Sequence, residues 1–140
     1  MRRRIAATTS VGCLVASLMI LSPPAASAAV LGSATFLSGV TGELAFTHLP
    51  LLPDKITGVF NTGFNNPDTS LYTFEIVDPS TNAVRADLTP FIEPNYSINV
   101  PGTSGFQADF DGFTLEEVMH DYVIVKMGGA VIGAAEIKGV

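Results

Sequence analysis

From residue 33 onward, apolar and polar side chains alternate along most of the chain, and breakers rich in Gly, Pro, Asn or Asp interrupt the alternation about every 8 to 12 residues. Few architectures satisfy that pattern. A strand sends successive side chains to opposite faces, so a period of two marks segments that each bury one face against a second layer. Residues 41–49 set Leu44 and Phe46 against Glu43 and Thr47, and residues 55–61 repeat the rhythm with Ile56, Gly58 and Phe60. Residues 71–77 carry Tyr72, Phe74 and Ile76 on one face. The turn-forming run Asp78-Pro79-Ser80-Thr81-Asn82 then leads into residues 83–88 and predicts a hairpin. In residues 105–111, Phe106, Ala108 and Phe110 face inward, while Gln107, Asp109 and Asp111 face solvent.

The C-terminal runs 122–127 and 130–137 flank Gly128-Gly129, which supplies the positive φ angles of a tight hairpin turn. Gly133, Ala134 and Ala135 in the returning run predict a surface of small residues under a closely packed layer. Residues 91–100 are confined to an edge strand or a loop, because Pro90, Pro94 and Pro101 remove ladder donors. One helix is specified locally over 115–120. Thr114 and Glu117 have the spacing of a capping box, and Phe113 and Val118 that of a hydrophobic staple. Seven or eight short strands and one short helix predict an all-β chain, a small single-domain antiparallel β-sandwich of Ig-like, Greek-key type. A closed β-barrel is the alternative.

Residues 1–28 have the organisation of a cleaved signal peptide: Arg2, Arg3 and Arg4, an apolar run over 13–21, and the small-residue site Ala26-Ser27-Ala28. The apolar run is about half of the roughly 20 residues a spanning helix needs, and Pro23-Pro24 follows it, so a membrane anchor is not expected. Cleavage would remove Cys13, the one cysteine, and leave a domain over 29–140 that holds its fold without a disulfide. It would also remove three of the seven basic residues and none of the thirteen acidic ones, for a net charge of −9. Such a domain repels phosphate backbones, and its basic residues Lys55, Arg85, Lys126 and Lys138 form no cluster, which argues against nucleic acid as a partner. The expected location is extracellular.

The densest polar chemistry is Asp109, Asp111, Glu116, Glu117, His120 and Asp121, within thirteen residues. Asp109, Asp111, Glu116, His120 and Asp121 are the candidate metal ligands, calcium being the ion that carboxylate oxygens suit best. Against a metal, Asp109 and Asp111 also fit the solvated face of a strand, and Glu116 and Glu117 fit the N-terminus of a helix, where negative charge is favoured. The same carboxylates would be the acid and base of a hydrolase, although an exposed strand face does little to raise a pKa. His48 sits at a strand end, and neither it nor His120 belongs to a nucleophile motif.

Asn95-Tyr96-Ser97 is an N-glycosylation acceptor sequence at Asn95. In the polar stretch 61–70, Phe64 is either a recognition residue on a loop or a ring tucked onto the sheet edge. The nine phenylalanines, all after residue 28, would fill a core or line the cavity of a ligand-binding barrel. With no convergent catalytic motif, the expected function is that of a secreted, non-enzymatic β-sandwich of binding or structural type. Its partner would be an extracellular glycan, a protein or a second copy of itself. A metal-dependent module or hydrolase and a small-ligand-binding barrel are the alternatives.

Overall fold

A computed structural model describes residues 30–140; the signal peptide expected over 1–28, with Cys13, lies outside the described residues. In chain order the elements are β1 (Val30–Ser38), β2 (Val40–His48), β3 (Asp54–Thr62), β4 (Tyr72–Val77), β5 (Val84–Asp87), α1 (Thr89–Ile92), β6 (Ile98–Asn99), β7 (Gly102–Thr103), β8 (Phe106–Phe110), α2 (Leu115–Val118), β9 (Tyr122–Met127), β10 (Ala130–Glu136) and β11 (Lys138–Gly139). Two antiparallel sheets face one another. One has the order β11-β1-β2-β3-β8 and the other β10-β9-β4-β5, while β6 and β7 form a two-stranded ribbon. The chain is an all-β sandwich, with eight strands of four residues or more and two one-turn helices. Because the sheets stay separate, the barrel alternative is set aside.

The alternation in the sequence becomes the core. Leu44 and Phe46 of β2, Ile56 and Phe60 of β3, Tyr72, Phe74 and Ile76 of β4 and Val123 and Val125 of β9 are all buried between the layers. Phe60 is the hub, with ring centroids 5.5 Å from Phe36, 4.9 Å from Phe64, 5.9 Å from Phe74 and 6.1 Å from Phe106. These are distances at which edge-on and offset aromatic pairs attract. The phenylalanines therefore pack on one another, and the reading of a barrel around a ligand cavity falls with the barrel.

The β9–β10 hairpin turns through Gly128 and Gly129 at φ 58° and 87°, as the dipeptide predicts. Gly133 lies so close to the opposite sheet that an added Cβ would meet the Val40 Cβ at 2.8 Å, which is why a small residue stands there. After β10 the chain changes sheets at the buried Ile137, and Lys138 pairs with Ser33 of β1. That crossing stitches one side of the sandwich. The other side is closed by α1 and the residues around it, where Leu88, Ile92 and Tyr96 are buried.

Two local expectations are corrected, and the alternative left open at Phe64 is decided for the ring tucked inward. Residues 91–100 hold no long strand: α1 and a 3-10 turn over Glu93–Asn95 take Pro90 and Pro94 in their first turns, where a missing N–H costs nothing, and only Ile98–Asn99 pairs. The helix expected over 115–120 stops at Val118, because the His120 N–H is taken by the Ile137 carbonyl at 2.8 Å and His120 turns to φ 71°. Phe64, a candidate recognition residue, is fully buried against Phe60 and Tyr72, the latter at 4.6 Å.

Candidate functional site

The five candidate metal ligands do not converge. Asp109 projects from β8 opposite Lys55 of β3, whose Nζ donates to Oδ1 at 2.6 Å. Asp111 stands exposed just beyond β8, and Glu116 is exposed on α2. His120 holds Glu136, with Nδ1 to Oε2 at 3.0 Å. Asp121 is buried at the start of β9 and faces Arg85, Nε to Oδ2 at 3.2 Å, while the other arm of Arg85 reaches Asp78 at 3.1 Å. Among the described residues no three His, Cys, Asp or Glu side chains gather as a group able to hold a metal ion. The cluster divides in the fold: Asp109, Asp111 and Glu117 stay beside one another, while His120 and Asp121 are carried to Glu136 and Arg85.

Glu117, the sixth carboxylate, is committed locally. Its Oε1 accepts from the Thr114 N–H at 2.8 Å, and Thr114 Oγ1 accepts from the Glu117 N–H at 3.3 Å, so the predicted capping box is complete. Phe113 is pulled toward Phe110, with stacked rings 4.7 Å apart at 17°. Asn95 is exposed at the end of its 3-10 turn, and its Nδ2 donates to the Phe91 carbonyl at 2.8 Å.

Where β8 runs into α2, an open groove of about 720 Å³ is bounded by three segments. One wall is Leu52 and Pro53 of the β2–β3 loop with Asp54 at the start of β3, the second is residues 109–114 with Glu117, and Phe91 of α1 completes the surround. Phe110, itself edge-on to Phe46 at 6.1 Å, and Phe113 form an aromatic floor anchored in the core. The rim carries Asp54, Asp109, Asp111 and Glu117, and among the described residues no lysine, arginine or histidine lines it. Behind Asp54, His48 Nδ1 lies 2.5 Å from Oδ1. That hydrogen bond, followed by the Asp54 charge, raises the His48 pKa above its ordinary value; desolvation opposes the shift and the Glu116 charge adds to it.

Beside the groove, Leu51 is fully exposed at φ 66°, and Leu52 is more than half exposed. A left-handed backbone at a leucine costs energy that glycine would not incur, and strain of that kind concentrates at functional loops. The arrangement can hold a ligand by aromatic contact and charge. Among the described residues, the groove wall holds no nucleophile paired with a base.

Sequence reasoning finds Asp109, Asp111 and Glu117 but not the rest of the site. Asp54 and Phe91 come from segments that meet residues 109–117 only in the fold. Two leucines in succession within the turn Leu49-Pro50-Leu51-Leu52-Pro53 were the signal that could have been read, since apolar residues at a hairpin tip have no core to enter. No protein-family model matches this chain, and neither does any curated protein or solved structure.

Proposed function

We propose that this chain is an exported, non-enzymatic binding protein and that the groove at the β8–α2 junction is where it holds its partner. The observation that carries the reading is a concave surface in which a core-anchored aromatic floor meets four carboxylates, the combination of apolar contact and a few placed polar groups typical of ligand sites. Export is supported by the basic, apolar and small-residue order of residues 1–28. It predicts that the protein recovered outside the cytoplasm of its host begins at Ala29 on N-terminal sequencing.

The groove is tested by recording amide shifts of the full chain against a general panel of small fragments, aromatic, cationic, anionic and sugar-like. Fragments bind wherever a surface is preformed for a ligand, whatever its identity. Responses should gather on residues 51–54 and 109–117. Shifts concentrated on another face, or no response from any fragment, would refute the assignment.

A further inference from the structure

The identity of the occupant can be argued further, on the premise that the groove is the binding site. We propose that it seats a basic segment of a partner protein, with Lys or Arg side chains among the rim carboxylates and apolar side chains against Leu51 and Leu52.

Charge comes first. Asp54, Asp109, Asp111 and Glu117 line the groove; His48 engages Asp54, Lys55 engages Asp109 and the Thr114 N–H holds one Glu117 oxygen, which leaves Asp111 exposed and, among the described residues, no cation in the lining itself. Covering that rim with an anionic or purely apolar ligand would strip water from carboxylates and return nothing, whereas a cationic side chain restores the lost solvation. The floor agrees. A guanidinium laid on an aromatic face gains a cation–π contact, and Phe113, half-buried and stacked on the buried Phe110, stands at the same rim.

Leu51 and Leu52 decide between a cationic small molecule or glycan and a polypeptide. They place exposed apolar surface immediately beside the charged rim, one of them held at φ 66°. A hydroxyl-covered sugar has little to match them, but a peptide that alternates basic and apolar side chains matches both surfaces at once. A second copy of this chain fits poorly. Lys55, Arg85 and Lys126 are already paired with Asp109, with Asp78 and Asp121, and with Glu75 respectively, so among the described lysines and arginines Lys138 alone is left to donate.

The test uses fluorescence anisotropy on the full chain with four probes: a labelled peptide alternating arginine with leucine, a version with glutamate for arginine, a version with serine for leucine, and labelled cellohexaose. The arginine–leucine peptide should bind, and its affinity should fall as salt rises. The glutamate version should not bind, and the serine version should bind more weakly. Asp111→Lys and Leu51→Gly, both at exposed positions outside the core, should each weaken the arginine–leucine peptide, the charge reversal by about tenfold or more. Binding of cellohexaose or of the glutamate peptide, with amide shifts at 51–54 and 109–117, would overturn the basic-segment inference and leave the groove standing. Tight binding of the arginine–leucine peptide unaffected by both substitutions, with shifts on another face, would overturn both. Failure of the arginine–leucine peptide to bind would overturn the inference.

Discussion

Phe64→Ala separates a loop that faces a partner from a loop that completes the core. The polar stretch around Phe64 has the composition of a surface connection, yet the ring is fully buried, 4.9 Å from Phe60 and 4.6 Å from Tyr72, with Phe74 and Tyr96 at 6.4 and 6.3 Å. Its backbone is also held, the N–H donating to the Pro101 carbonyl at 2.9 Å, so the site cannot easily collapse into the vacated volume. Phenylalanine-to-alanine changes in such places cost about 3–5 kcal/mol, about a fifth or more of the roughly 5–15 kcal/mol that a domain of this size possesses. At about 4 °C per kcal/mol, the thermal midpoint should fall by about 12–20 °C. Phe64→Leu keeps most of the volume and gives up the ring pairs, so about 1–2 kcal/mol is expected. Urea unfolding followed by circular dichroism measures both, with an unchanged m-value as the sign that stability alone has moved. A midpoint shift below about 4 °C for Phe64→Ala would place the ring on the surface and refute the reasoning.

Thr114→Ala removes the acceptor for the Glu117 N–H and half of the capping box, for an expected loss of about 1 kcal/mol by urea midpoint; no loss would mean that α2 is held by Leu115 and Val118 alone. Arg85→Met leaves the buried Asp121 without its cation, and because the arginine is itself partly exposed the expected cost is about 1–2 kcal/mol; a neutral result would show Asp121 satisfied by other means. His48 should titrate by NMR above its ordinary value of 6.5, and Asp54→Asn should bring it back down. Since the folded pKa is the raised one, this pair stabilises the fold below pH 6.5 and the contribution is lost as pH rises through the folded value; a His48 that titrates at or below 6.5 in the parent protein contradicts the geometry. Calcium or zinc should leave the thermal midpoint where a chelator leaves it, and a rise of several degrees abolished by Asp111→Asn would restore the carboxylate cluster as a metal site.

What could be read in the sequence, and what could not, divides along the range of the interactions involved. Period-two alternation is imposed by the pleat within each segment, so β2, β3, β4, β8 and β9 announce themselves, as does the Gly128-Gly129 turn, whose requirement for positive φ is met inside two residues. The capping box is legible for the same reason, both partners lying three residues apart. β1 is less so: its inward positions Gly32, Ala34 and Phe36 are mostly small, and it earns its place by pairing with β2 along its whole length. The end of α2 is decided by a carbonyl seventeen residues away in sequence, that of Ile137, which no local signal near His120 reveals.

The candidate site fails and succeeds on the same principle. Asp109 to Asp121 are neighbours along the chain, but β8 belongs to one sheet and β9 to the other, so the segment between them crosses the sandwich: Asp109, Asp111 and Glu117 stay at the groove, while His120 and Asp121 are carried off to Glu136 and Arg85. The groove reverses the situation. Its walls are distant in sequence, from Leu52 to Glu117, and they meet because β3 pairs with β8 through Asp54 opposite Phe110. That single register places the β2–β3 loop, with its exposed leucines, beside the aromatic and acidic residues that follow β8. A change of register there would dismantle the groove while leaving every sequence motif intact, which is why the motifs alone could not point to it.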